Sequence, residues 1–375
     1  MKVLSLFSGC GGLDLGFALE GYEIVAAFDH WGPAVECHNY NERLLGGRAE
    51  KKSLALDDGE IDLKDLPNVD VVLGGPPCQG FSFAGKQRID DPRNKLYLDF
   101  KRIVAHVQPR VFLMENVKGL EKMALNEVQK SFHEIGYQVT IQRVDCTLLG
   151  LAQRRERIII IGTKESDKKF QTPDILLGSL FGGVQTPVDL FSVIGDLPMP
   201  TSGRGLSKAS THYLDDHKYL PFSALEKQFI PHIPNGGCFR DAPRDVLPDR
   251  LVKILDDPAR YKNPRLFPKA DPYKPAQTVP ASTSPSIGGV IAPDLIYENN
   301  LALPVIPSDY IFEGRYTSPV ESRRFTAREA ARLQGFPDSF LFTGSLSSKT
   351  KMIGNAVPVP LGRLFAKEIK AQIFS

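Results

Sequence analysis

The chain has one tryptophan and five cysteines among 375 residues. It has no run of about 18 apolar residues, the length that a membrane-spanning helix needs. No charged-then-apolar leader follows Met1, so neither a membrane span nor a secretion signal is expected, and the expected location is cytoplasmic. Cys10, Cys37, Cys78, Cys146 and Cys238 are odd in number, scattered and without a CxxC pair. A disulfide framework and a zinc site are thereby disfavoured, and reduced thiols with no bound metal are expected. Excess charge of one sign is also missing: the formal net charge is +2, compatible with a nucleic-acid partner without arguing for one. No internal repeat or low-complexity tract is present. What remains is a globular composition, 42% hydrophobic and 24% charged, sufficient for a substantial core. The length predicts two domains, or one large domain with an insertion.

The first half alternates short β-branched runs with helical stretches. Strands are predicted at Val3–Phe7, Glu23–Phe28, Val69–Leu73, Val111–Met114 and Ile158–Ile161, and helices at Asp14–Glu20, Ala34–Tyr40, Lys95–His106 and Glu127–Ile135. This alternation implies a parallel sheet with helices on both faces, and ligands beyond the carboxyl ends of the strands. After about residue 164 the character changes, and 17 of the 29 prolines fall between Pro198 and Pro307. A loop-rich second domain is expected there. Periodicity returns at Arg323–Gln334, where Thr326 and Glu329 have the spacing of a capping box, and at Leu361–Ile373. Both segments are expected to fold back on the first domain.

The first strand runs into Phe7-Ser8-Gly9-Cys10-Gly11-Gly12-Leu13-Asp14. A glycine-rich turn between strand and helix lets backbone approach a nucleotide-type ligand, though a plain tight turn has the same composition. The spacing is not GxGxxG, because Asp14 stands where the third glycine would fall, and this disfavours NAD. Asp29, at the end of the second strand, is placed to bind a ribose diol.

Gly74-Gly75-Pro76-Pro77-Cys78-Gln79-Gly80 follows a buried-type strand, with two prolines stiffening the approach to the thiol. A thiol at a sheet edge among prolines and glycines suits a nucleophile. The other four cysteines read as buried small side chains. Glu115 ends the next apolar run. It is either a partly desolvated carboxylate with a raised pKa in the same crevice or an ordinary helix-capping acid. In Gln153-Arg154-Arg155-Glu156-Arg157, period-two alternation puts Arg155 and Arg157 on one face, toward the pocket or along a solvated basic edge.

Together these segments resemble the DNA (cytosine-5) methyltransferase family of bacterial restriction–modification type, over nearly the whole chain. The segments that carry the resemblance are FSGCGG (7–12), GGPPCQGFS (74–82), DPRNKL (91–96), MENVKGL (114–120) and QRRER (153–157), together with RRFTAREAARLQGFPDSF (323–340) and IGNAVPVP (353–360). The resemblance implies an α/β fold: a Rossmann-like, doubly wound S-adenosyl-L-methionine-dependent methyltransferase sheet with a smaller, irregular target-recognition domain. The expected boundaries are 1–188 and 321–375 for the catalytic domain and 189–320 for recognition. It implies Cys78 as nucleophile, Glu115 as the residue that contacts the cytosine ring, and Arg155 and Arg157 as the arginines of the QxRxR motif. Phe7, Gly9, Gly12, Leu13, Asp29, His30, Asp57, Leu96, Asn355 and Ala356 match co-substrate positions; Asp58 and Asp62 compete with Asp57. Ser5 stands where many members have Asp.

The chemistry requires these residue types. Thiolate addition to carbon 6 of cytosine makes carbon 5 enamine-like, and a proton or hydrogen bond at ring nitrogen 3 eases the addition. An arginine near the thiol favours the thiolate and holds the base or its phosphate. Stacked bases hide both faces, so the target must be flipped out of double-stranded DNA.

Specificity is expected within 189–306. Residues 201–275 contain 13 Lys and Arg against 9 Asp and Glu, which suits phosphate contacts. Arg240, Arg244, Arg260 and Arg265 are candidates for guanine or phosphate contacts, and Thr278 in Lys274–Val279 for a recognition loop. A monomer is expected. Two alternatives stay open: a tRNA cytosine-5 methyltransferase, disfavoured because Cys238-Phe239 is followed by Arg240, and a non-catalytic DNA-binding regulator, which would not need the thiol.

Overall fold

The computed structural model describes residues 1–77, 96–119, 125–178, 188–203, 209–257, 266–281, 290–298, 300–303 and 322–375. The chain divides into two compact units. One comprises Met1–Gly150, Arg155–Thr186 and Ala356–Ser375; the other comprises Leu151–Arg154 and Pro187–Asn355.

The first unit contains β1 (Lys2–Leu6), α1 (Gly12–Ala18), β2 (Glu23–Asp29), α2 (Gly32–Tyr40), α3 (Glu42–Leu45), β3 (Ala49–Lys51) and β4 (Val71–Gly74). These are followed by α4 (Leu96–Val107), β5 (Val111–Val117), α5 (Leu125–His133), β6 (Tyr137–Asp145), β7 (Glu156–Lys164) and α6 (Asp174–Gly178), and later by α12 (Val359–Ile373). The seven strands form one sheet in the order β3-β2-β1-β4-β5-β7-β6. Strand order reverses between β1 and β4, and such a reversal leaves a crevice at the carboxyl ends of the strands. The expected α/β class is therefore observed.

The sheet is not wholly parallel, as the alternation of elements had implied. β7 runs antiparallel between β5 and β6. The reason is connection length: β6 and β7 are joined by Cys146–Arg155, too short for the crossover that a parallel pair needs. Two strands of this sheet are not among those the sequence predicts. β3 has three residues at one edge, and β6, at the other edge, alternates apolar and polar residues without a strong apolar run.

Alternation along β1 explains the two-sided burial. Leu4 and Leu6 join Phe100, Ile103, Phe112, Val128 and Phe132 in a core that includes α4 and α5. Ser5 points the other way and bonds Asp14 of α1. α1 and α12 meet at glycines: a Cβ on Gly16 would lie 2.5 Å from the Arg363 nitrogen, so only glycine permits the approach. Tyr22 Oη, just past α1, donates to the Ala366 carbonyl at 3.0 Å.

The second unit carries short helices: α7 (Leu190–Ile194), α8 (Ala224–Phe229), α9 (Asp249–Asp256), α10 (Ala327–Leu333) and α11 (Leu346–Asn355). Its strand pairs are β8 (Thr201–Ser202) with β9 (Lys218–Tyr219), and β10 (Ile296–Glu298) with β11 (Leu301–Leu303). Its core gathers Phe229, Ile230, Phe239, Leu251, Phe267 and Ile291. Buried charge supplements this small core. Arg323 makes a two-bonded contact to Glu329 (2.7 and 2.8 Å), and Lys349 Nζ lies 2.7 Å from Asp216 Oδ1. The Thr326–Glu329 capping box forms as its spacing predicts.

Within the division into compact units, α10 and α11 belong to the second. Their polar groups are satisfied inside the second unit: Gln334 Nε2 donates to the Ile353 carbonyl at 2.8 Å, and Arg332 Nη1 to the Val193 carbonyl at 3.0 Å. α12 belongs to the first unit.

Candidate active site

The turn after β1 is shaped by backbone conformation. Phe7 has φ +55°, a left-handed value uncommon for a bulky residue, and Gly9 and Gly11 have φ +56° and +95°. Strain of this kind concentrates where structure around a ligand over-determines the backbone. A Cβ added to Gly9 would meet nothing within 4 Å, so the space above this glycine is open. Asp29, buried at the end of β2, accepts from Gly9 N–H through Oδ2 at 2.9 Å and from Trp31 N–H through Oδ1 at 2.8 Å. One carboxylate thus holds the loop after β1 to the loop after β2. His30 lies alongside, its Nδ1 3.5 Å from Asp29 Oδ1 and its side chain 73% exposed.

Gly12 and Leu13 open α1. Leu96 begins α4 and is half-buried. Asp57 lies in a single 3-10 turn, Leu56–Asp58, its side chain 96% exposed and 3.5 Å from Arg102. Its competitors are occupied locally: Asp58 accepts from the Ser53 hydroxyl, and Asp62 from Lys64 N–H at 3.0 Å. Asn355 ends α11 in the second unit, and Ala356 opens the returning segment of the first.

The second cluster is built on β4, β5 and β7. Glu115 lies inside β5, opposite Ile159, where the sequence had placed it at a strand end. Antiparallel pairing sets Val117 against Arg157 and so brings the arginine diagonally to Glu115. Arg157 Nε and Glu115 Oε1 are 2.6 Å apart, with 12% of each side chain exposed. The N–H does not point along that line, so the contact is an ion pair more than a linear hydrogen bond. The helix-capping alternative for Glu115 is thereby removed.

Arg155 is 2% exposed and donates through Nη2 to the Ala356 carbonyl at 3.1 Å. Burial, helped by the like charge of Arg157, pulls its pKa down to about 9. The basic-edge alternative therefore fails: both arginines are largely enclosed.

Glu115 is also fixed relative to the loop after β4. A Cβ on Gly75 would lie 3.5 Å from Glu115 Oε2. Asn116, buried next to Glu115, donates through Nδ2 to the Pro76 carbonyl at 3.1 Å. Asn116 had been given no role from sequence; the only signal was its place in the MENV segment. Cys78, two residues beyond Pro76, lies outside the described residues, as do Arg260 and Arg265. Arg240 stacks its guanidinium 5.5 Å from the Phe239 ring, and Arg244 pairs with Asp256 at the surface. Thr278 Oγ1 donates to the Arg154 carbonyl at 2.6 Å, and Val279 N–H to Gln153 Oε1 at 2.7 Å. Among the described residues there is no group of three or more His, Cys, Asp or Glu placed to hold a metal. None of their helices is long and apolar enough to cross a membrane.

Residues 1–230 and 256–371 match the family described as C-5 cytosine-specific DNA methylase. The chain belongs to that family. The enzyme is a DNA (cytosine-5) methyltransferase. It is 32% identical over 378 residues to the Type II methyltransferase M.FnuDI of Fusobacterium nucleatum, covering 99% of this chain and 94% of that one. It is 31% identical over 367 residues to the Type II methyltransferase M.NgoFVII of Neisseria gonorrhoeae, covering 95% and 83%. Among solved structures, a prophage-encoded Escherichia coli protein shares the fold with a TM-score of 0.67, 21% identity and 99% coverage of each chain.

Within this family the co-substrate is S-adenosylmethionine, and the residues present fit its nucleoside. A buried carboxylate reaches the loop surface, the backbone over Gly9 is open, and glycines allow close approach.

Proposed function

We propose that this methyltransferase acts on carbon 5 of a cytosine flipped out of a specific duplex DNA sequence, by way of a covalent bond from Cys78 to carbon 6, as the modification enzyme of a restriction–modification system. One observation carries the reading: the Glu115–Arg157 ion pair stands over Gly75, and Asn116 ties the same strand to Pro76, two residues before Cys78.

Phe7, Gly9, Gly12, Leu13, Asp29, His30 and Leu96 are the residues of the first unit that would hold S-adenosylmethionine, with Ala356 at the start of its returning segment. Asn355 of the second unit and Asp57 belong to the same proposal. The bound co-substrate supplies an electrophilic methyl group on its sulfonium sulfur. The protein's own part is to make carbon 5 nucleophilic. The Cys78 thiolate adds to carbon 6, electron density moves through the ring to nitrogen 3, and Glu115, in the protonated form that the bound base calls for, donates a proton or hydrogen bond there. Arg157 holds the Glu115 carboxyl group in place, and the guanidinium charges of the pair favour the thiolate. After methylation, carbon 5 gives its proton to a water molecule, nitrogen 3 returns its proton to Glu115, and Cys78 leaves as the thiolate, which restores the ring. Asp29 binds the ribose, its two oxygens already oriented by Gly9 and Trp31. The basic excess within 201–275 supports binding of the DNA backbone.

The test is methyl transfer from labelled S-adenosylmethionine to unmethylated DNA, to tRNA and to duplexes with 5-fluorocytosine, using wild type and Cys78→Ala. Labelled DNA and a trapped covalent complex on the fluorinated duplex, both lost in Cys78→Ala, are expected. Label on tRNA alone would move the substrate to RNA, and a covalent complex that survives Cys78→Ala would remove the nucleophile assignment.

A further inference from the structure

A second aspartate joins the elements that flank the same two loops. Asp14, in the first turn of α1, is fully buried, as are Ser5 of β1 and His38 of α2. Ser5 Oγ donates to Asp14 Oδ1 at 2.6 Å, and His38 Nε2 lies 3.0 Å from Asp14 Oδ2. Ser5 precedes the glycine turn and Asp14 follows it, while His38 sits on the helix that follows Asp29, His30 and Trp31. The carboxylate therefore joins β1, α1 and α2 on the protein side of the turn, and Asp29 joins their connecting loops on the open side. Gly11 lies in the turn between Gly9 and Asp14, and a Cβ there would come within 2.8 Å of Leu45 and 3.1 Å of the His38 ring. The turn has little room to shift unless Asp14 lets α2 move.

The chemistry of this group has no other use in the site. A buried carboxylate is costly unless its oxygens are satisfied, and here each oxygen has one polar partner from a different element. Among the described residues, His38 Nδ1 is buried and has no hydrogen-bond partner. The tautomer with its proton on Nε2 satisfies Asp14 and leaves a bare lone pair, not an orphaned N–H.

We infer that Asp14 is a positioning residue for the co-substrate: with Ser5 and His38 it sets the Phe7–Gly11 turn for S-adenosylmethionine binding and takes no part in the methyl-transfer step. This rests on the proposed co-substrate site and names a residue beyond it. The geometry predicts a divided kinetic effect. Loosening the turn weakens co-substrate binding, whereas Glu115 and Arg157, on β5 and β7, keep their pairing.

The experiment uses the full chain with Asp14→Asn and Ser5→Ala, and with Asp29→Asn as a probe of the site itself. Trp31 is the chain's single tryptophan and lies in the loop that Asp29 holds, so its emission during S-adenosylmethionine titration reads the cradle without turnover. Calorimetric titration and thermal unfolding accompany it. For Asp14→Asn, the expected result is an S-adenosylmethionine Kd and KM raised about tenfold, with kcat within twofold of wild type. Ser5→Ala, which loses one hydrogen bond and keeps the carboxylate, is expected to show a smaller change of the same kind. Asp14→Asn and Ser5→Ala proteins that fold and keep wild-type Kd while Asp29→Asn loses binding would overturn the inference and leave the site intact. Wild-type Kd in Asp29→Asn as well would overturn the site reading instead. If Asp14→Asn does not fold, Ser5→Ala decides: an unchanged Kd and KM for it counts against the positioning role.

Discussion

Arg157 Nε lies 2.6 Å from Glu115 Oε1, across an antiparallel pair of strands and with little of either side chain exposed. In a contact this enclosed, removing one partner leaves the other desolvated without its counter-charge, which costs more than breaking a surface ion pair.

Glu115→Gln is therefore expected to lower kcat by about 10²–10⁴-fold, the range for loss of a general acid–base group. Arg157→Lys is expected to fall well short of wild type as well, because a point charge does not replace the planar guanidinium. Single-turnover methylation with saturating DNA and S-adenosylmethionine checks both, and kcat within threefold of wild type in Glu115→Gln would remove that residue from the chemistry.

The thiols give a second prediction. Cys10, Cys37, Cys146 and Cys238 are all buried; burial pushes the Cys10 thiol up and that of Cys146 to about 12. Iodoacetamide at neutral pH should therefore modify the native protein once at most, at Cys78, and the other four only after unfolding. Peptide mass spectrometry reads the site, and rapid native labelling of Cys146 would contradict the prediction.

The second unit should lose stability in acid in two stages. His217, its ring bonded to Thr326 and the Pro198 carbonyl, is held below the usual imidazole range by burial, only partly offset by Glu329. Its contribution is present above the unfolded value, about 6.5, and is lost as pH falls through the lower folded value. Burial works against ionised Glu329, but Arg323 outweighs it and holds the carboxyl below its ordinary range. That contribution is present above an unfolded value of about 4.3 and is lost as pH falls further. Chemical denaturation between pH 8 and 3 should show both stages. Glu329→Gln should abolish the lower one and cost about 3–5 kcal/mol, since Arg323 stays buried without its partner.

Gly16→Ala tests the backing of the glycine turn. The added methyl would meet the Gly362 and Arg363 backbone at 2.5–2.7 Å. Overpacking of this kind costs about 1–3 kcal/mol, so the thermal midpoint should fall by several degrees. An unchanged midpoint would mean that α1 and α12 adjust freely.

The glycine turn and the capping box at Thr326 were legible because each depends on neighbours close in sequence. Phe7 was legible as part of the turn but not as a strained residue, since φ is set by the contacts around it. The pairing of Glu115 with Arg157 was hidden for another reason: apolar runs identify strands but not their direction, and only the antiparallel insertion of β7 makes that register. β6 was missed because an edge strand does not need a continuous apolar run. Asp14 was noticed only as a missing glycine, and its partners Ser5 and His38 are 9 and 24 residues away. The burial of Arg323, Arg328, Glu329 and Lys349 with their partners was not legible, because charged side chains in a helix read as surface.

The packing of α12 on α1 carries a consequence for synthesis. Gly362 and Ala366, which complete the surroundings of Gly16 and Tyr22, are translated some 340 residues after them. At about 5–20 residues per second, the nascent chain spends tens of seconds with α1 lacking its cover. The turn proposed to hold the methyl donor is thus finished late, so a partly made chain that could already meet DNA would not yet be competent to mark it.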